Sequence, residues 1–412
     1  MKESELIPHL FRSEFSKIVA VLSKTFGLSN IQLAEDIVSD TFLKATETWG
    51  LKGAPENPTA WLYFVAKNKA KDYFKREQNF TQKIITDLRQ KQDSSETFEI
   101  DLSDSNIKDS QLQMLFAVCN PIISKEAQIA LALRVLCGFG IEEISNALLS
   151  NKSTINKRLV RAKETFRKNN ISLTFPPEKE LPIRLNNILS ILYLLFNEGY
   201  YSPSSEKTIK KELCIEAMRL LYMLLNNKAS NQPEGNALMA LFCFHASRYD
   251  ARINGNNEPI SYDEQDKTKW DHKLIQKGEL YIKKSSIGNR LTKYHLEALI
   301  AFWHTRIAFD NKEKWENILQ LYNQLIQIEY SPITALNRTY ALAMVYGKEA
   351  GLKEALKINL NKNHFYHSLL AELYNGLYPK KEIRHLKLAL ELAETKKDKN
   401  LILKKLNTKK TS

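Results

Sequence analysis

Residues 126–168 read EAQIALALRVLCGFGIEEISNALLSNKSTINKRLVRAKETFRK. Apolar side chains recur at helical spacing from Glu126 to Arg134, and the pattern stops at Gly138-Phe139-Gly140. A second helix begins at Ile141-Glu142-Glu143-Ile144, with acids in the first turn, where the positive end of the helix dipole favours them. It ends near Leu149-Ser150-Asn151, and Ser153 or Thr154 is placed to cap a third helix over 154–168. Two short helices joined by a tight turn, the second one basic, suit insertion into a DNA major groove. Seven bases between 152 and 168 face one acid, Glu164. The N-terminal residues of such a helix reach base edges while its flanks hold phosphates. Ser153, Thr154, Asn156 and Lys157 are therefore assigned to bases, and Lys152, Arg158, Arg161 and Lys163 to the DNA backbone. A solvated basic helix on a bundle is the competing reading of the same charges.

Upstream, residues 33–77 carry a second informative pattern. Ala34-Glu35-Asp36-Ile37-Val38-Ser39-Asp40-Thr41-Phe42-Leu43-Lys44 reads as an amphipathic helix with an acidic exposed face. A Gly/Pro loop follows over 51–57, and a helix starts at Pro58, whose fixed backbone angle suits a first helical position. That helix should turn Leu62, Val65 and Ala66 inward and a stripe of Lys67, Lys71, Lys75 and Arg76 outward. Bases interleaved with Trp61, Tyr63 and Tyr73 offer charge for phosphate and rings for unstacked bases, although such aromatics are more often core.

Beyond these stretches the chain reads as all-α. Gly and Pro are sparse, 13 and 12 in 412 residues, and strand-like alternation is nearly absent. Residues 80–110 turn polar and acidic: between 87 and 109 stand Asp87, Asp93, Glu96, Glu99, Asp101, Asp104 and Asp109 against three bases, the signature of a flexible linker. Phe175-Pro176-Pro177 breaks the pattern again, and a long helical region follows from Leu181. In its second part helix pairs start near 294, 332 and 365, close to the period of about 34 residues of tetratricopeptide repeats. The Lys-rich end, 396–412, reads as a solvated basic tail. The net charge of +13 favours an anionic partner. Cys119, Cys137, Cys214 and Cys243 each lie in apolar helical stretches without a paired spacing, as buried thiols of a reducing cytoplasm do. The first residues show no leader-like apolar run, and no stretch reaches the length and apolarity of a membrane span.

The order Ala-Glu-Asp at 34–36, Phe42, Pro58 with Trp61-Leu62, and Ala66, Asn68, Asp72 and Arg76 resembles the sigma-2 domain of extracytoplasmic-function (ECF) sigma factors of RNA polymerase. Lys67 stands where many members have Arg, which keeps the charge. The helix-turn-helix resembles sigma-4 in order and spacing. The resemblance implies six segments: sigma-2 (1–79), an acidic linker (80–110), sigma-4 (111–170), a helical extension (181–290), tetratricopeptide-like repeats (291–395) and the tail (396–412). It also implies roles. Asp36, Asp40 and Phe42 would dock on the β′ clamp helices of core RNA polymerase, with the β flap as a further contact. Leu51, Lys52, Gly53 and Asn57, with Asn68, Lys71, Lys75 and Arg76, would hold the −10 element and a flipped base. Sigma-4 would read the −35 element of promoter DNA, and the linker acids would take the place of RNA in its exit channel or, equally well on sequence, form a merely solvated spacer. Residues 192–200, 263–271, 331–338 and 351–352 resemble the extension of one subgroup of these factors.

No Walker loop, H-E-x-x-H or G-x-S-x-G occurs, so neither an enzyme nor a cofactor or metal is expected. His364 and His367 share a helix face and read as packing or surface residues. Asn197, Glu198, Asp263, Gln265, Asp266, Trp270 and Arg338 would suit either a ligand groove or a buried polar network, the latter preferred. The repeats offer a concave surface for a protein regulator. The alternative from another class is a DNA-binding regulator or repeat scaffold without polymerase binding; it would not need the acidic face of Asp36 and Asp40.

Overall fold

The computed structural model describes residues 3–86, 100–201, 207–252, 260, 262–306 and 311–410. Every regular element among them is helical. The chain divides into two compact units, Met1–Gly199 with Thr208–Leu224, and Tyr200–Lys207 with Leu225–Ser412.

The first unit is organised around α1 (Glu3–Phe26). Phe15, Ile18, Val19, Ala20 and Leu22 are all fully buried, more than one face of a helix can supply to a single neighbour. Accordingly α2 (Ile31–Lys52), α3 (Pro58–Thr86), α4 (Asp104–Val118) and the turn following α5 (Lys125–Leu131) all pack on α1. Ser103 and Ser124 cap α4 and α5 with their hydroxyls. After α5 the backbone widens over Ala132–Leu136, and the Cys137 N–H reaches back five residues to the Ala132 carbonyl at 3.2 Å. Next come α6 (Ile141–Ala147) and α7 (Lys152–Lys168). The start of α7 differs from expectation: Asn151 is the cap, its Oδ1 accepting from the Thr154 N–H at 2.7 Å and from the Ser153 hydroxyl at 2.8 Å. Lys152, Ser153 and Thr154 are already helical because the better-placed acceptor lies one step upstream.

The segment expected as a linker is shorter where it is described. Helix α3 continues to Thr86 and α4 begins at Asp104, so among the described residues of this segment 100–103 lie outside helices. Asp101 accepts from the Ser103 N–H (2.8 Å) and hydroxyl (3.0 Å), which holds its carboxyl below the usual range. Residues 87–99, with Asp87, Asp93, Glu96 and Glu99, lie outside the described residues.

Two helices of the extension, α8 (Leu181–Tyr201) and α9 (Lys207–Leu225), complete the first unit over the parts assigned to it. The Arg184 guanidinium donates to the Phe116 carbonyl at the end of α4. Asn187 Nδ2 donates to the Cys119 carbonyl and, at 2.9 Å, to Oε1 of the buried Gln128. From α9, Arg219 Nη2 donates to the Leu136 carbonyl of the widened turn at 2.6 Å.

In the second unit α10 (Pro233–Ser247) is buried nearly all round, and α11 (His272–Ser285) packs closely on it. Gly278 makes that approach possible: a Cβ there would stand 2.6 Å from the Phe244 ring. Helices α12 (Lys293–Thr305), α13 (Asn311–Ile328), α14 (Pro332–Tyr346), α15 (Lys348–Ala355), α16 (His364–Tyr374) and α17 (Pro379–Leu392) follow in sequence-adjacent pairs. Leu296, Ile318 and Ala341 share one cluster, and Leu336, Ala355, Leu370 and Leu373 the next. The Lys-rich end is a helix, α18 (Lys396–Lys410), rather than a solvated tail. Ile402 and Leu406 recur at helical spacing between the lysines and bury against Ala371, Leu386, Ala389 and Ala393. His367 is buried, with Nδ1 3.0 Å from Nδ1 of His385 and Nε2 3.0 Å from the Asn361 carbonyl, so it packs the fold. All four cysteines are free and buried; burial pushes the thiols of Cys119 and Cys243 up to about 12, away from reactivity.

Candidate polymerase and nucleic-acid interface

Helix α2 buries Ile31, Ala34, Ile37, Val38, Thr41, Phe42, Ala45 and Trp49 and leaves Asp36, Asp40, Leu43, Lys44 and Glu47 exposed. Asp36 accepts from the Gln32 amide at 2.9 Å, and Asp40 pairs with Lys69 of α3 at 3.4 Å. Phe42 departs from its expected surface role. It is 4% exposed and its ring meets Phe11 edge-on at 5.0 Å, because it falls on the apolar stripe that faces α1. The exposed apolar residue of this face is Leu43.

Leu51 and Lys52 form the last turn of α2, and Leu51 is 88% exposed. Gly53 ends the helix at φ +76°, a backbone angle that side chains disfavour. Asn57 is exposed but engaged: its Oδ1 accepts from the Ala60 N–H at 3.0 Å and caps α3. An open groove of about 480 Å³ lies at the foot of this loop, lined by Leu6, Ile7, Pro8, Thr46, Trp49 and Ala54 among others.

On α3, Leu62, Val65, Ala66 and Ala70 are buried, while Asn68, Lys71, Lys75 and Arg76 are exposed and Lys67 is half-buried. Two of the three aromatics face inward. Trp61 meets Trp49 at 5.2 Å, and the Tyr63 hydroxyl donates to Glu14 Oε2 at 2.6 Å. Burial and the Glu14 carboxylate raise the Tyr63 phenol far above its usual range. Tyr73 stays exposed, and Phe64, 65% exposed, joins it on the surface.

Helix α7 buries Ile155, Leu159, Ala162 and Phe166 beside α6 and α5. Lys152, Ser153, Asn156, Lys157 and Arg161 are exposed, and Thr154 and Arg158 half-buried. Lys152 pairs with Glu142 at 3.0 Å. Lys163 is not available to phosphate in this arrangement. Its amine is held by Glu35 of α2 and donates to Gln32 Oε1 at 2.6 Å. Glu35 is 2% exposed and also takes Arg134 Nε at 2.8 Å. Alongside, Arg12 of α1 pairs with Glu143 of α6 at 2.6 Å and lies 4.0 Å over the Phe139 ring. Sequence reasoning passed over Glu35, Arg134 and Arg12. The one signal was a carboxylate at position 35 on the apolar stripe of α2, where an acid is buried only with partners.

Of the mixed polar set in the extension, Gln265 and Trp270 are buried in the second unit, and Arg338 binds Asn323 (2.7 Å) and Glu354 (3.7 Å) there. A groove of about 270 Å³ lies between α16, α17 and α18, with His364, Phe365, Glu372, Asp398 and Lys405 on its walls. Among the described residues, no helix is long and apolar enough to cross a membrane.

Residues 10–80 match the family Sigma-70 region 2, and residues 184–286 match a family of unknown function, DUF6596. An uncharacterized protein of Rhizobium meliloti (strain 1021) is 31% identical over 355 residues, 84% of this chain and 83% of that one. No solved structure matches. The region 2 match spans the helices that carry Asp36, Asp40 and the basic stripe of α3, while the relative that covers most of the chain is itself uncharacterized: residues 10–80 form a Sigma-70 region 2 domain, which supports a sigma-70 family factor.

Proposed function

We propose that the chain is a promoter-specificity subunit of the ECF type, with two DNA-reading modules and a C-terminal helical regulator. The observation that carries this reading is the two-faced build of α3: an inner face of Leu62, Val65, Ala66 and Ala70, and an outer face where Asn68, Lys71 and Lys75 recur at helical spacing with exposed Phe64. Charge for phosphates next to rings for unstacked bases is what an opened DNA strand needs. In this reading Asp36, Asp40 and Leu43 meet the β′ clamp helices, and the turn of Leu51, Lys52 and Gly53 works with α3 on the −10 element. Ser153, Thr154, Asn156 and Lys157 read the −35 element, while Lys152, Arg158 and Arg161 hold its backbone. Phe42 and Asn57 serve by positioning α2 and α3. The acids of 87–109 approach the RNA exit channel and the helix-turn-helix meets the β flap. The paired helices α12–α17 act as tetratricopeptide-like repeats that receive a protein regulator.

Charge reversal tests the polymerase contact. Asp36→Lys with Asp40→Lys in the full chain should weaken binding to core polymerase by at least about tenfold, since like charges across an interface are strongly disfavoured. DNA binding by the free chain should hold. Undiminished core binding would overturn this docking face and favour a DNA-binding scaffold.

A further inference from the structure

Arg248 stands just after α10 in the second unit and is only 8% exposed. Among the described residues its Nε has no hydrogen-bond partner and no carboxylate pairs with its guanidinium; it faces the Tyr262 ring, 5.6 Å away. Three more groups gather at that ring. The buried Lys314 holds its amine 4.8 Å from the ring centre and donates to the Tyr262 hydroxyl at 2.9 Å. The His304 imidazole meets the ring edge-on at 5.2 Å, and the buried Trp270 indole lies 6.4 Å from it. His304 Nδ1 and Trp270 Nε1 are shielded from solvent and have no hydrogen-bond partner. We propose that these groups bind a small oxyanion, the phosphate or carboxylate group of a ligand, with Arg248, Trp270 and His304 as its donors.

A buried cation or N–H is kept in a fold with a partner, because nothing else replaces its lost hydration. The described acids close by in sequence are committed elsewhere. Asp266 accepts from Thr268, Asp271 from the Leu274 N–H, Glu264 pairs with Lys404, and Glu279 with Arg306. An oxyanion supplies what is missing: two parallel acceptors for the guanidinium fork, one for the indole, and one for His304 in its Nδ1–H tautomer. Burial, then the positive charges of Arg248 and Lys314, hold the His304 imidazole at about 3, so it meets an anion as a neutral donor in a field that attracts one. Trp315, 5.7 Å from the His304 ring, adds apolar surface for the body that carries the anionic group. The burial of Arg248 and Trp270 excludes a DNA backbone and selects a small molecule. All these residues belong to the second unit, so the site does not rest on the promoter-reading assignment.

Thermal unfolding of the full chain at constant ionic strength, with chloride exchanged for inorganic phosphate or benzoate, tests the site. An anion that binds the folded chain raises the midpoint by mass action. Wild type should gain with one of the two, phosphate marking a phosphate site and benzoate a carboxylate on a flat body. Arg248→Met should lose the gain while its anion-free midpoint stays at or above that of wild type, because an unmatched buried charge gives way to an apolar chain. Trp270→Phe keeps the ring, removes the N–H, and should weaken binding by about tenfold in calorimetric titration. Both variants keep the basic residues of α3 and α7, so anion binding there, or a general salt effect, would leave their gain equal to that of wild type. A wild-type midpoint that neither anion moves, or a gain that Arg248→Met retains in full, rules the site out. Should Arg248→Met not fold, Trp270→Phe decides: weakened binding supports the site and unchanged affinity refutes it.

Discussion

Asn187→Ala measures how far the extension is part of the promoter-binding unit. The Asn187 amide donates to two acceptors at once, the Cys119 carbonyl that closes α4 and Oε1 of Gln128 on α5. Cys119 is fully buried and Gln128 is 1% exposed, so water does not readily replace the lost donor. Each orphaned buried acceptor costs about 1–3 kcal/mol, and two together about 3 kcal/mol after partial relaxation. For a unit of this size that corresponds to a fall of about 6–12 °C in melting temperature. Thermal unfolding followed by circular dichroism reads the fall, and hydrogen exchange assigns it to α4 and α5. Replacing both side chains with apolar ones, Asn187→Leu with Gln128→Leu, should recover only part of the loss, because the Gln128 acceptor is gone but the Cys119 and Ile123 carbonyls lose their donors. A melting temperature within about 1 °C of wild type for Asn187→Ala would refute the reasoning and return α8 to the status of an appendage.

Binding to a −35 duplex should respond differently to two groups on α7. Arg158→Ala and Arg161→Ala should weaken it on all sequences and flatten its salt dependence by about one unit of slope each, whereas Asn156→Ala and Lys157→Ala should change which sequence is preferred, as read by selection from a duplex pool. Stability should also fall on acidification. Burial drives the imidazole of His304 down to about 3 and that of His245 well below its usual range, so both stay neutral in the folded second unit and take up protons only when it unfolds. The stabilisation is complete above the unfolded value of about 6.5 and is lost as pH drops below it, by about 1–2 kcal/mol per histidine between pH ~7 and ~5. Urea unfolding at the two pH values checks this; a midpoint that does not move would contradict it.

What the sequence revealed tracks the range of the interactions involved. Helical class and the order of α5, α6 and α7 follow from local spacing, first-turn acids and the Gly138-Phe139-Gly140 break, all of which act within a few residues. The inner and outer faces of α3 were legible for the same reason. Misreadings came where a distant partner decides. Phe42 looked like a surface residue until Phe11 covered it, and for Trp61 and Tyr63, readable as core or as base platforms, Trp49 and Glu14 decide for the inward side. Lys163 looked like a phosphate ligand because Glu35 lies 128 residues away in sequence. The lysines of 396–410 masked Ile402 and Leu406, two apolar residues that fold the end of the chain into α18.

The central claim is that this chain directs initiation. Run-off transcription with purified core polymerase, the full chain and promoter fragments enriched from genomic DNA tests it most directly. Transcripts of defined length should appear that require both the chain and its promoter and that disappear with Asp36→Lys and Asp40→Lys. A chain that binds the same fragments yet yields no transcript with core polymerase would contradict it.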